Sequence, residues 1–375
     1  MKIVAARLHR YRLPLRAEWA TTAGAFGWRE GWLLRLETAD GLYGFGECAP
    51  LPGNENAAYG QIAPTAISEA LLGTQSKQCI GLQASDALVS LAACRNKAGE
   101  QAAAVRCALE TALLDVIAQA NHVSLARHLK RSQPAAQIAV NAALGNLMVV
   151  DAQRIANACD EGFSILKLKV GMQSVDRDIA HLKHLTTHLP AHVKLRLDAN
   201  RAWSMADAEH FIDACNRLPV DMLEEPLSNP SIEQLRRLQS QAVFPLGIDE
   251  SLSDLDLQEM LSAPPVGRLV LKPPRHGGLL PALALARQAS AAGLECIVTS
   301  SIDSACGVLA AAHLAAALDN GLAHGLATSS WLTENTGEAP ESSNGCLSLP
   351  GMAGLGFTPL ADHPIVCQKT CGWVA

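Results

Sequence analysis

One stretch constrains this chain more than any other: Ile165-Leu166-Lys167-Leu168-Lys169-Val170-Gly171, where apolar and cationic side chains alternate. A period of two is the pattern of a β-strand whose two faces meet different surroundings. Leu166, Leu168 and Val170 share one face. Lys167 and Lys169 share the other, about 7 Å apart along the strand. An edge strand with solvated lysines would alternate in the same way. Four later stretches argue for a different use. Leu195-Arg196-Leu197-Asp198, Met222-Leu223-Glu224-Glu225, Gly247-Ile248-Asp249-Glu250 and Leu269-Val270-Leu271-Lys272 each begin apolar and end in charge. Three carboxylate-bearing strand ends in a row, flanked by lysine-bearing ones, read as a metal site with cationic partners.

The spacing of these stretches predicts the architecture. Strand-like runs recur near Gln137, Ile165, Val193, Met222, Leu246, Leu269, Cys296 and Ala323, roughly 23 to 29 residues apart. Helical patterns fill most gaps, over residues 175–189, 206–218, 231–241 and 280–292. Strand followed by helix at a steady period is the signature of a parallel β/α barrel. The helical run 307–318 precedes the last strand, which leaves the barrel without a closing helix. Ahead of the barrel, residues 2–12 alternate like a strand, and 32–46 read as a hairpin turning at Ala39-Asp40-Gly41. Residues 57–72 and 102–120 read as helices, the second with Val105, Leu109, Ala112, Leu113 and Val116 on one stripe. This order predicts an α+β unit at 1–130, a barrel at 131–335, and a Gly-, Pro- and Ser-rich segment at 336–375 that packs back on the first unit. The stretch 16–28 has no strong period and carries Trp19, Phe26 and Trp28. It reads as a mobile loop that closes over a ligand, with the rigid turn Ala49-Pro50-Leu51-Pro52-Gly53 beside it.

Composition excludes several classes. With 375 residues, 49% of them hydrophobic, the chain can bury a large core. A formal charge of −6 without any basic run argues against nucleic acid as the main partner. No charge-free apolar run is long enough for a membrane span, and Arg7 and Arg10 interrupt the start, so no secretory leader is read there. The eleven cysteines form no CxxC pair. Cys48, Cys107, Cys159, Cys215 and Cys296 sit in apolar patterns, as small buried hydrophobes do in a reducing compartment. The expectation is a soluble, cytoplasmic protein acting on a small molecule.

The strand ends suggest the chemistry. Lys194, Arg196, Asp198 and Asn200 fall on one face of the third strand, and Glu224 and Asp249 end the next two. Three oxygen ligands with positions left for water and substrate suit magnesium, a hard ion. Any one carboxylate could instead cap a helix, as Asp249 before Glu250-Ser251 could; three at successive strand ends read otherwise. Lys169 and Lys272 face each other across such a barrel. A nearby divalent cation disfavours their charged forms, so one can accept a proton. A carbon acid beside a carboxylate is very weak unless the enediolate is stabilised. The pattern therefore points to proton abstraction α to a carboxylate, followed by elimination, racemisation or cycloisomerisation.

The succession Lys-x-Lys, Asp-Ala-Asn, Glu-Glu-Pro, Asp-Glu-Ser, Leu-Lys-Pro resembles the enolase superfamily in its muconate-lactonising subgroup, over nearly the whole chain. The resemblance implies an α/β fold, a modified (β/α)7β TIM-type barrel with an N-terminal α+β capping domain completed by the C-terminal tail. It implies Mg2+, with Mn2+ as a substitute, on Asp198, Glu224 and Asp249. Lys169 would be the base and Lys272 its partner, with Lys167, Arg196, Asn200, Glu225 and Glu250 supporting. Leu51-Pro52-Gly53, the run from Arg196 to Trp203, Thr299-Ser300-Ser301 and His324-Gly325-Leu326-Ala327-Thr328 are most similar to the o-succinylbenzoate synthases of menaquinone synthesis. Those enzymes dehydrate a succinyl-bearing hydroxycyclohexadiene carboxylate. Gly277-Gly278 after Lys272 is shared with N-succinylamino acid racemases, the runner-up. Lys272-Pro273 argues against dipeptide epimerases. A non-catalytic binding relative is the alternative of a different class, and retention of both lysines and all three carboxylates argues against it.

Overall fold

The computed structural model describes residues 1–21, 24–51, 64–93, 100–360 and 370–374. An antiparallel sheet opens the chain: β1 (Ile3–Thr21), β2 (Gly24–Thr38) and β3 (Tyr43–Cys48), with β14 (Thr370–Val374) on the far side of β1. Helices α1 (Pro64–Cys79), α2 (Ala84–Ala93), α3 (Glu100–Ala120) and α4 (Leu125–Lys130) follow. The predicted stripe of α3, Val105, Leu109, Ala112, Leu113 and Val116, is fully buried with Leu8, Leu34 and Leu36 of the sheet. Glycine lets the two approach. A Cβ at Gly46 would lie 1.9 Å from the Ala108 carbonyl oxygen, and one at Gly44 2.1 Å from that of Ala112.

Two expectations here need correction. Residues 16–21 and 24–28 are strand, not loop. The β1–β2 ladder continues past a register shift to pair Trp19 with Phe26, Ala20 with Ala25 and Thr21 with Gly24. Ala, Gly and Thr weakened the strand pattern, and cross-strand pairing with β2 overrides it. The first helix runs to Cys79 rather than ending at Leu72. Pro52 and Gly53 lie outside the described residues, as does the start of the helix expected from residue 57.

The second sheet is parallel, in the order β11-β10-β9-β8-β7-β6-β5. Its strands are β5 (Ala142–Asn146), β6 (Ile165–Lys169), β7 (Lys194–Asp198), β8 (Val220–Glu224), β9 (Leu246–Ile248), β10 (Arg268–Leu271) and β11 (Glu295–Val298). Between them run α5 (Ala152–Asp160), α6 (Val175–Thr186), α7 (Met205–Cys215), α8 (Ile232–Gln241), α9 (Leu257–Ser262), α10 (Pro273–His276) and α11 (Leu279–Ala291), and α12 (Ala305–Leu318) follows β11. The apolar face of β6, Leu166 and Leu168, is buried in the core. Met222, Val270 and Ile297 form a separate small cluster. The eighth staves are single bridges rather than a strand. Val140 pairs with His324, and Thr299 pairs with Gly325, which closes the ring. The strand expected near Gln137 is displaced. β4 (Gln137–Ala139) joins a small antiparallel sheet with β12 (Ser342–Ser343) and β13 (Cys346–Ser348), and the barrel strand starts at Ala142. The tail thus clasps the barrel at β13 and the first sheet at β14. Among the described residues no helix is long and apolar enough to cross a membrane, and Cys48, Cys107, Cys215 and Cys296 are buried and unbridged.

His313 on α12 ties three parts of the chain together. Its Nδ1 accepts the Ala126 N–H at 3.0 Å, so Nε2 carries the proton that it donates to the Leu355 carbonyl at 2.9 Å. Burial pushes its pKa down to about 4, against 6.5 for an ordinary histidine. The unfolded chain therefore takes up this proton first, and stability falls as pH drops from 6.5 toward 4. Between pH 7.5 and 5 this one group should cost about 2 kcal/mol. Urea unfolding of His313→Gln should show a pH dependence smaller by that amount. Identical pH dependence in the two proteins would contradict this reading.

Candidate active site

Parallel register brings the charged strand ends together. Lys169 lies opposite Asp198, and Asp198 lies opposite Glu224. Asp249 follows β9, at the N-cap position of a short 3-10 turn, yet its side chain makes no capping bond and is left for the site. Asp198, Glu224 and Asp249 are 4%, 1% and 6% exposed. Lys167 reaches between two of them, its Nζ 2.9 Å from Asp198 and 2.6 Å from Glu224. Lys272 pairs with one oxygen of Asp249, and Arg275 donates to the other at 3.0 Å. The cations have spread through the carboxylates. As they stand, no group of three or more His, Cys, Asp or Glu among the described residues has the spacing of a metal cage.

The donor set nonetheless fits a hard divalent cation. The three carboxylates are neighbours, all their donors are oxygen, and Glu224 Oε1 is buried without a hydrogen-bond partner. Burial, then the neighbouring Asp198, holds the Glu224 carboxyl well above the ordinary carboxylate range. Burial opposes the charge on Lys167, but Asp198 and Glu224 outweigh it and hold its pKa above that of an ordinary lysine. Lys169 moves the other way. Burial lowers its pKa, and Lys167 and Lys272 reinforce this against the pull of Asp198. The ring of Trp19, from the β1–β2 hairpin, lies 4.8 Å from Lys169 Nζ.

Supporting residues divide into three groups. Glu225, in left-handed backbone (φ +48°), points away from Glu224 and accepts the N–H groups of Asp249 and Ser251 at 2.7 and 2.8 Å. It fixes the turn that presents Asp249. Asn200, also left-handed, has left the strand; its backbone N–H donates to Asp198 and its side chain to Glu250 at 3.2 Å. Arg196 does not line the cavity. It joins Asp221 at 2.8 Å, and Arg268 joins the same carboxylate at 3.0 Å. Its other contacts are the Asn141 side chain and the Ala323 carbonyl, so it works within the barrel.

A cavity of about 150 Å³ opens above these groups. Lys167, Lys169, Asp198, Glu250 and Lys272 line its charged side. Trp19, Phe26, Leu51, Ala143, Gly145 and Ile302 supply apolar wall, and Thr299, Ser300, Ser301 and Thr328 supply hydroxyls. Asn141 and Arg275 line it too and were not read from the sequence as site residues. Asn141 had no signal of its own, while Arg275 was legible only as a cation three residues beyond Lys272.

This geometry has counterparts among known proteins. The Mandelate racemase / muconate lactonizing enzyme, N-terminal domain profile matches residues 10–129, and the Enolase C-terminal domain-like profile matches 148–363. The o-succinylbenzoate synthase of Edwardsiella ictaluri is 31% identical over 326 residues, 86% of this chain and 90% of that protein. The hydrophobic dipeptide epimerase of Enterococcus faecalis is 28% identical over 329 residues, 85% of this chain and 88% of that one. A crystal structure of a dipeptide epimerase from Enterococcus faecalis, complexed with Mg and the dipeptide L-Leu-L-Tyr, superposes with a TM-score of 0.84 at 26% identity, covering 96% of this chain and 100% of that one. The chain belongs to the enolase superfamily, in its muconate-lactonising subgroup.

Proposed function

We propose that this chain is an o-succinylbenzoate synthase, a dehydratase in which Lys169 removes the ring proton α to a carboxylate. In this reading residues 1–130 cap the site, 131–335 form the catalytic barrel and 336–375 return to the cap. The observation that carries it is one small cavity into which Lys169 of β6 and Lys272, just after β10, both reach, four strand positions apart in the sheet order and beside a buried carboxylate set. Described residues on the apolar and hydroxyl side of the cavity include no carboxylate to receive a free amino group. That favours an acyl-bearing acid over an unblocked dipeptide. N-succinylamino acid racemisation is the second reading, because two lysines lining one cavity are also what a two-base racemase requires.

Asp198, Glu224 and Asp249 would hold magnesium, which supplies positive charge where negative charge grows on the substrate carboxylate. Lys169 Nζ, neutral, takes the proton from the ring carbon. The C–H electron pair forms the new ring double bond as the hydroxyl leaves the neighbouring carbon. The departing oxygen takes up a proton, Lys169 returning the one it removed, so the balance is loss of one water and an aromatic ring. Lys272 stays cationic over the ring and favours the electron-rich transition state. Trp19 and Phe26 exclude water from the reacting face.

Binding titrations with Mg2+ test the ligand set. Glu225→Gln should weaken affinity about tenfold, as changes to groups that orient ligands do, and Glu224→Gln should weaken it more. The reverse order would mean that the wrong glutamate has been assigned. Lys169→Ala should lower kcat on the order of 10³-fold, while Lys272→Arg should retain more activity than Lys169→Arg. Because the Lys169 pKa is lowered, log kcat/KM should rise with pH and level off below 10.5, the ordinary lysine value. Turnover of N-succinylamino acids faster than the cyclohexadiene acid, with solvent deuterium entering from the Lys272 face, would replace the synthase by the racemase.

A further inference from the structure

Ile302 lines the cavity beside Ser300 and Ser301, 3% exposed, with φ +57°. A β-branched residue adopts left-handed backbone only where its surroundings impose it. The constraint comes from the other sheet. Arg29 on β2, 1% exposed, donates from Nε to the Ile302 carbonyl at 3.1 Å. Its remaining nitrogens donate to the carbonyls of Ala49 at 2.6 Å and Pro50 at 3.1 Å. Leu51, the next residue, lines the cavity as well. One guanidinium therefore joins two segments of wall, one from each sheet system.

The charges around it are arranged for the same task. Asp303 lies 3.6 Å from Arg29 and accepts the Ser301 N–H at 3.2 Å. Glu47 on β3 accepts the Ser304 and Gly307 N–H groups at 2.9 and 2.7 Å, the Ser304 hydroxyl at 2.5 Å and the Tyr11 hydroxyl at 2.5 Å. A carboxylate from the first sheet thus seats the N-terminus of α12. The C-terminal half of the loop between β11 and α12 is held at Ile302 and at Ser304 by side chains of the antiparallel sheet. Neither Arg29 nor Glu47 is among the residues that line the cavity.

We propose that Arg29 is a positioning residue for substrate binding, which acts by clamping strained Ile302 to the Ala49–Leu51 turn. The proposal rests on the synthase reading for its substrate but not for the clamp itself. Lys169 belongs to β6 and Lys272 follows β10, so loss of the clamp should disturb the wall more than the proton transfer. Lysine cannot replace arginine here, since a single ammonium does not span three carbonyls with the geometry of a planar fork.

Amide hydrogen exchange and steady-state kinetics of Arg29→Met and Arg29→Lys test this. In Arg29→Met, exchange across residues 49–51 and 300–304 should rise by about tenfold or more while β6 to β10 stay protected. KM for the cyclohexadiene acid should rise about tenfold with kcat within about threefold of wild type. Arg29→Lys, which keeps the charge beside Asp303, should show the same pattern at smaller size, and it decides the matter if the Met variant does not fold. Ile302→Gly removes the strain, so Arg29→Met added to it should raise exchange at 300–304 less than it does alone. Unchanged exchange in both segments, or a uniform loss of protection through the barrel, overturns the proposal. A wild-type protein that fails to turn over the acid overturns the synthase reading instead, while the exchange comparison still decides the role of Arg29.

Discussion

Negative charge packed at high density away from water is the constraint on which this structure depends. Asp198, Glu224 and Asp249 sit at the ends of adjacent strands, nearly inaccessible to solvent. Without positive charge among them, burial and mutual repulsion would force protonation. Lys167, Lys272 and Arg275 answer that demand here by pairing directly with the carboxylates. The alternation that opens the lysine strand follows from the same demand. Its apolar face is claimed by the core, and on its cationic face Lys167 is claimed by Asp198 and Glu224 of the next two strands.

A second use of carboxylates runs through the fold. Glu225 and Glu47 are buried acids that accept backbone N–H groups, and each holds the start of a segment that reaches the site. Burial raises the Glu225 carboxyl to about 7, with the repulsion of Glu250 added. Such an acid is costly to bury, and it is kept where a turn must be placed accurately. The acids that reach the reacting centre and the acids that fix its frame are thus neighbours in sequence, Glu224 and Glu225, turned to opposite sides by one left-handed residue.

The barrel was legible because its signals are periodic. Strand spacing, the stripe of α3 and the charged strand ends are all local patterns that burial reinforces. The charge-bearing ends of β6 to β10 could be placed in one ring from the repeat alone. The strand pairing of residues 16–21 with 24–28 was not legible, since Ala, Gly and Thr carry little strand preference and pairing with β2 is what defines it. The displacement of the first barrel strand from Gln137 to Ala142 was hidden for a related reason. Gln137–Ala139 pairs with residues more than 200 positions later, which no local period reveals. The clamp of Arg29 on Ile302 is equally remote in sequence, and an arginine within a strand looks like any solvated one. The partners of Arg196 were hidden differently. Its alternation with Asp198 marked it as a supporting residue without saying how, and its length lets it turn to Asp221 within the barrel.

Along Ala5–His9, β1 is an interior strand only because β14 lies against it. During synthesis β14 leaves the ribosome after every strand of the barrel, so the first sheet must wait with that stretch of edge open while the barrel forms. Closing a loop of that length costs little more than closing one of half the size, but the contact is slow to find. Until it is made, β1 offers a run of unpaired N–H and C=O groups to any extended segment it meets. A chain shortened before Thr370 would keep its reacting groups and lose its guard against strand exchange. Self-association, rather than lost chemistry, would be the mark of such a truncation.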